Sequence, residues 1–154
     1  MRQGRLLQVA PPEEVFEAPA HAFVADFIGG CNWFDATLAE DNAIHLAEGP
    51  HFTLPPGPAR PVGPVRVALR NEDLRLADAA TALPSLSGTV AMRAYMGHRT
   101  RLHVRLASGA TLDADVASGA GLPAEGAVIH LAFDPARARL FTREAGADDG
   151  WRIP

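Results

Sequence analysis

Short runs of alternating apolar and polar residues, punctuated by glycine and proline, predict a mainly β protein, a barrel or sandwich with a small N-terminal helical head. Three observations carry this expectation. The hydrophobic period is helical before Gly30 and drops to two after it. Strand-length segments then follow one another at close spacing, with turn residues between them. The composition, 47% apolar and 21% charged over 154 residues, fits one globular domain or two small units sharing a core.

Gly4 to Val9 reads as a short strand that Pro11-Pro12 stops. Pro12 to Glu17 reads as a helix, because proline and the acids Glu13 and Glu14 suit a first turn and its dipole. A second helix is expected from His21 to Ile28, where Phe23/Phe27 and Val24/Ile28 are i,i+4 pairs, and Gly29-Gly30 stops it. Cys31 to Leu38 and Ala43 to Ala47 then form a strand pair turning at Glu40-Asp41-Asn42. Pro55 to Pro64, rich in proline and glycine, is expected to be a loop. Val65 to Arg70 alternates as a half-buried strand. Further strands are expected at Gly88 to Met96, Arg99 to Leu106, Thr111 to Val116, Ala127 to Phe133 and Ala138 to Thr142, with a tail from Glu144. Gly63 to Leu69, closing at Leu74-Arg75-Leu76, echoes Gly126 to Ala132, closing at Arg139-Leu140, as two related β-units would.

Composition excludes several functions. All 14 basic residues are arginine, so the chain has no P-loop lysine and no Schiff-base chemistry. The net charge of -4 argues against nucleic acid or an anionic membrane as the main partner. No apolar run approaches the roughly 18 residues of a membrane-spanning helix, and no signal peptide is expected. Cys31 is the only cysteine, which leaves no internal disulfide and no cysteine zinc cage. His98 and His103 are an odd number of residues apart, and a turn separates His45 from His51, so no metal site and no cofactor are expected. No G-x-S-x-G elbow or cysteine–histidine pair is present, and the chain is not expected to be an enzyme.

The best-patterned segment puts Arg99, Arg101, His103 and Arg105 on one face of a strand. Such a row is either a cationic platform for a small anion or a face neutralised by Asp113 and Asp115 on the next strand. Keeping both apolar faces inward allows Arg105 beside Asp113 or Arg101 beside Asp115. The self-neutralising face is the expected outcome.

One ordered series of motifs resembles a known family. Gly4-Arg5-Leu6-Leu7-Gln8, then Pro12-Glu13-Glu14-Val15-Phe16 and Pro19, then Phe23-Val24-Ala25-Asp26-Phe27-Ile28-Gly29 with Asn32, are similar to the junction between the nucleotide-binding domain and the C-terminal regulatory domain in ATP-binding subunits of bacterial ABC importers. Arg70-Asn71-Glu72-Asp73 resembles that family's R-P-E-D segment, with Asn71 in place of proline, and Tyr95-x-Gly97 resembles its Y-x-G. The resemblance implies a TOBE-type (transport-associated OB) domain of OB-like β-barrel units, as in polyamine, ferric-iron and maltose importers. It divides the chain into a helical head at 1–30, a TOBE-type β domain at 31–143 and a tail at 144–154. It implies a regulatory and dimerisation role on the cytoplasmic side, peripheral to the inner membrane, with importer membrane subunits and an ATPase core as partners; this chain does not contain that core. The alternative is a free-standing OB-like domain that binds a small anion or single-stranded nucleic acid through Arg99, Arg101 and Arg105. Phe23, Phe27, Arg70, Glu72, Tyr95 and Gly97 are the expected regulatory or interface residues, with Arg70–Glu72 as a turn-bracing ion pair. The head, with Leu6, Leu7, Val15, Phe16, Phe23, Val24, Phe27 and Ile28, is expected to mediate a homodimer.

Overall fold

The computed structural model describes residues 6–57, 60 and 62–142. Two helices open the chain, α1 (Pro12–Glu17) and α2 (Ala22–Gly29). Gly30, at φ 69°, ends α2 in the left-handed region, which glycine enters without steric cost. Among the described residues ten strands follow: β1 (Cys31–Leu38), β2 (Ala43–Leu46), β3 (His51–Thr53), β4 (Gly63–Arg70), β5 (Arg75–Ala77), β6 (Ser85–Tyr95), β7 (Arg99–Leu106), β8 (Thr111–Ala117), β9 (Val128–Ala132) and β10 (Arg139–Thr142). Single 3-10 turns at Asn71–Asp73 and Pro135–Arg137 separate β4 from β5 and β9 from β10.

The strands form two antiparallel five-stranded sheets, ordered β10-β4-β1-β2-β3 and β5-β9-β6-β7-β8. Advancing each strand by five converts the first order into the second, provided that the fifth strands are exchanged. The chain therefore consists of two like units, each lending its closing strand to the other. Arg139 lies opposite Ala68 where β10 meets β4, and Arg75 lies opposite Ala132 where β5 meets β9. The echo in the sequence is thus structural, displaced by one residue from the match of glycines: Ala68 corresponds to Ala132, and Leu69 to Phe133. Inward residues Phe34, Ala36 and Leu38 of β1 correspond to Leu86, Gly88 and Val90 of β6. At Gly88 a Cβ would lie 2.6 Å from Val104 Cγ1 and 2.7 Å from the Arg105 carbonyl oxygen, so the smallest residue sits where the strands approach closest.

Both sheets bury their inner faces in one core, with Leu38, Ile44, Val67 and Leu69 from the first and Val90, Leu102, Val104 and Leu131 from the second. Phe52 of β3 meets Phe133 edge-on at 5.1 Å.

Several expectations need correction. Residues 6–9 are irregular rather than a strand, because Gln8 bonds Ala18 and Ala20 and so folds this segment along the helical head; Gly4 and the tail at 144–154 lie outside the described residues. The proline-rich loop ends earlier than expected, since Gly63 and Pro64 already belong to β4. By register the Pro64 nitrogen points away from β1, towards the side where β10 begins pairing only at Val65, so its missing N–H breaks no described ladder bond. The three-residue strands β3 and β5 were not expected.

Asn32 ties the sheets together. Buried at the start of β1, its amide nitrogen donates to the Asp113 carbonyl at 2.8 Å and to Asn71 Oδ1 at 3.1 Å, while its oxygen accepts the Asp113 N–H at 2.7 Å. It thereby occupies part of the open edge of β8. Asn32→Ala leaves several buried polar groups unpaired and should cost about 3 kcal/mol. The urea midpoint should fall with an unchanged slope.

Candidate functional site

The residues with the most unusual surroundings lie where the head meets the first crossing between the sheets. Arg70, the last residue of central strand β4, is only 8% exposed. Its Nη2 donates to the Phe16 carbonyl, and its guanidinium carbon lies 3.8 Å from the Phe16 ring centroid. Gly29 leaves space for Arg70 Nη1 that a Cβ would fill. Arg70 therefore turns to the head and makes no ion pair with Glu72, which corrects the expected turn-bracing pair.

The second crossing holds the same helix. Arg139 donates from Nε to the Glu17 carbonyl at 2.8 Å and from Nη2 to its carboxylate at 3.2 Å. Arg137 bridges Glu17, at 3.5 Å, and Asp73, at 3.0 Å. The Asp73 charge, foremost, holds the Arg137 guanidinium more firmly protonated. An acid at a helix C-terminus is unfavourable, and these two arginines offset it at Glu17. Helix α2 is fixed separately: Val24 and Ala25 are buried, and Trp33 Nε1 donates to Asp26 at 3.2 Å. Several large apolar side chains of the head are exposed. Phe27 is 75% exposed, and Ile28, Leu6 and Val9 are exposed too, while Phe23 stacks on Phe27 at 5.7 Å.

A second place lies at the outer end of the β6–β7 hairpin. Pairing shifts between Val90 and Met92, and this bulge turns Arg93 and Tyr95 onto the face of their partners Leu102 and Thr100. Arg93, Tyr95, Thr100, Ala124 and Glu125 line an open groove of about 600 Å³. Glu125 accepts the Arg93 N–H at 3.1 Å, where a neighbouring strand would otherwise bond. Gly97, at φ 85°, makes the hairpin turn. The sequence marked Tyr95 and Gly97 but not the bulge, since nothing in an uninterrupted alternation announces one.

The arginine row resolves in favour of one register. Arg101 lies opposite Asp115 and binds it through two bonds of 2.7 and 2.8 Å, which raise its pKa further. Asp113 lies opposite His103, not Arg105, and accepts from its Nδ1 at 2.6 Å. Arg105 faces Thr111 and Arg99 faces Ala117, so the three arginines do not converge. Among the described residues no three His, Cys, Asp or Glu side chains gather as a metal site. The turn after β2 does not separate His45 from His51 but sets them directly opposite each other, which corrects the expectation drawn from spacing.

With this geometry in place, the relatives become informative. Residues 67–141 match the sequence family described as "TOBE domain". The chain carries a TOBE domain. Both arginine-bearing crossings fall within the matched segment, so the TOBE domain itself supplies the residues that grip the head. The chain is 37% identical to the spermidine/putrescine import ATP-binding protein PotA 1 of Pseudomonas aeruginosa over 124 residues, 77% of this chain and 33% of that one. It is 32% identical to the Fe(3+) ions import ATP-binding protein FbpC of Streptomyces avermitilis over 147 residues, 96% of this chain and 41% of that one. The putrescine transport ATP-binding protein PotG of Escherichia coli is 32% identical over 146 residues, 87% of this chain and 39% of its own length. The chain thus spans about a third of the length of the curated relatives it matches, in their C-terminal regions. The fold is shared with a crystal structure of the cytoplasmic molybdate-binding protein ModG, at a TM-score of 0.55 and 17% identity over 71% of this chain and 94% of that one. This likeness fits the OB-like, two-unit architecture of the TOBE domain.

Two predictions follow from the junction. Arg70→Ala removes a buried cation–π contact and a charged hydrogen bond, together about 3 kcal/mol. Amide exchange in α1 and α2 should quicken while β1, β4 and β7 stay protected. Cys31 donates to the Ala25 carbonyl at 3.6 Å, and burial pushes its thiol up from 9.0 to about 11. The thiolate is therefore scarcer by about 100-fold at pH 8, and iodoacetamide should label the folded protein that much more slowly than the unfolded chain.

Proposed function

We propose that the chain is the regulatory and dimerisation domain of an ABC importer ATP-binding subunit, cytoplasmic and peripheral to the inner membrane. It carries no ATPase core and no catalytic activity of its own; nucleotide hydrolysis belongs to the remainder of the subunit. The observation that carries the proposal is the head, which keeps large apolar side chains exposed while it is bonded to the β-body. Phe27, Ile28, Leu6 and Val9 stay exposed although Arg70 and Arg139 bond α1 and Trp33 bonds α2. Each such side chain gains roughly 1.5–3 kcal/mol when buried, so together they favour a protein surface over water. In the proposed subunit the ATPase core partly covers these residues, a second copy covers them where that core is absent, and the membrane subunits complete the assembly. The names of the relatives support polyamines or ferric ions as the transported class.

Light scattering behind a sizing column tests dimerisation. A dimer is expected at high micromolar concentration, and Phe27→Asp should convert it to a monomer with an unchanged β spectrum, because Phe27 is not part of the core. A wild-type chain that remains monomeric at that concentration overturns the proposed dimer.

A further inference from the structure

We propose that His45 and His51 form a binding site for one borderline divalent transition-metal ion, such as Zn(II), Ni(II) or Cu(II), with water completing the coordination. The two residues are directly opposed on β2 and β3. The Leu54 N–H donates to the Asn42 carbonyl at 3.0 Å, which makes Asn42 and Leu54 a hydrogen-bonded pair. Pair types alternate along an antiparallel ladder, so His45 and His51 occupy a non-hydrogen-bonded pair, the type with the closer Cα atoms at about 4.5 Å. Their rings already lie near one another, with centroids 6.1 Å apart and planes 25° from parallel.

Both imidazoles are exposed and neither is held in an ion pair among the described residues. Rotation about their side-chain bonds is therefore free to bring one nitrogen from each to the roughly 2.0–2.1 Å that a zinc-like ion requires. Imidazole nitrogens suit zinc, nickel and copper, whereas magnesium and calcium take oxygen ligands. On the same outward face Thr37 lies opposite His45, and Asp35 is engaged by Arg66 at 3.5 Å. With no third protein ligand converging among the described residues, the site is open and exchangeable rather than a closed structural centre.

The second unit sharpens the assignment. The positions equivalent to His45 and His51 are Arg105 and Thr111, also directly opposed. Neither supplies an imidazole, so the site exists once per chain. Because β3 is a three-residue strand at the sheet edge, an ion shared with β2 fastens the least anchored strand of the first sheet.

The test is calorimetric titration of the untagged chain with nickel chloride and with zinc chloride, accompanied by thermal unfolding. One ion per chain is expected, with a raised unfolding midpoint, and magnesium chloride should give no response. Once one imidazole is bound the second binds intramolecularly, so His45→Ala or His51→Ala should each weaken binding on the order of a hundredfold and abolish the thermal shift. Both substitutions are at exposed positions, and the metal-free variants should unfold at the wild-type temperature. Absence of binding at millimolar nickel overturns the proposal. Binding that survives both substitutions overturns it equally, by assigning the ion to other histidines.

Discussion

The two crossings between the sheets are the constraint on which the rest of the molecule depends. Each unit gives its last strand away: β4 passes through Asn71–Asp73 to β5 in the second sheet, and β9 passes through Pro135–Arg137 to β10 in the first. Neither sheet has all five strands without the other half of the chain. Pairing across such separations in sequence closes long loops, an entropic cost that a common core must offset. The continuous cluster running from Phe34 and Leu38 to Leu102 and Leu131 supplies that burial.

The same crossings hold the head. Arg70, Asp73, Arg137 and Arg139 all lie at or beside the two 3-10 turns, and α1 touches each of the three arginines through Phe16 or Glu17. A displacement of α1 therefore acts on both points where the sheets exchange strands. The contacts differ in weight. Arg70 is buried against a ring, while the Glu17 pairs are exposed, and exposed pairs contribute little on their own. Arg70 is the anchor, and the Glu17 cluster orients the helix around it.

What the residue pattern revealed depended on how far each signal is local. Helices α1 and α2 and strands β1 and β7 were legible because proline, glycine and alternation act within a few residues of themselves. Parity, since a one-residue slip turns buried side chains outward, narrowed the arginine row to Arg105 beside Asp113 or Arg101 beside Asp115, and only the structure chose the second. Strands β3 and β5 were not legible, because three residues are too few to display a period. The match between units was visible, but glycine positions misled its alignment by one residue; the pairing partners Ala68 and Ala132, not Gly63 and Gly126, define the equivalence. Of the candidate site, Arg70 and Tyr95 were marked by resemblance, yet neither the Phe16 partner of one nor the bulge that turns the other is encoded nearby. The facing of His45 and His51 required knowing that the segment after the turn is a strand.

The two units share a topology but have diverged at matching places, and that divergence gives the domain a direction. Asn32, which clasps β8, corresponds to Pro84: Leu69 pairs with Asn32 as Phe133 pairs with Pro84, whose carbonyl accepts the Phe133 N–H at 3.1 Å. Proline has no side-chain donor, so only the first unit reaches across to the edge of the second. The first crossing likewise offers Arg70 to a ring, whereas the corresponding Asp134 instead caps its own turn by accepting the Ala136 N–H at 2.9 Å. Divergence on the other side added the bulge and the open groove of Arg93 and Tyr95, which the shorter β1, ending at Leu38, does not extend far enough to build. The buried anchor Arg70 and the Asn32 clasp thus lie on the unit that follows the head, and the open hairpin on the unit farther along the chain. A symmetric pair of units would present the same surface twice. This pair presents a head held at both crossings and a groove at one hairpin end, two different surfaces carried on a shared core.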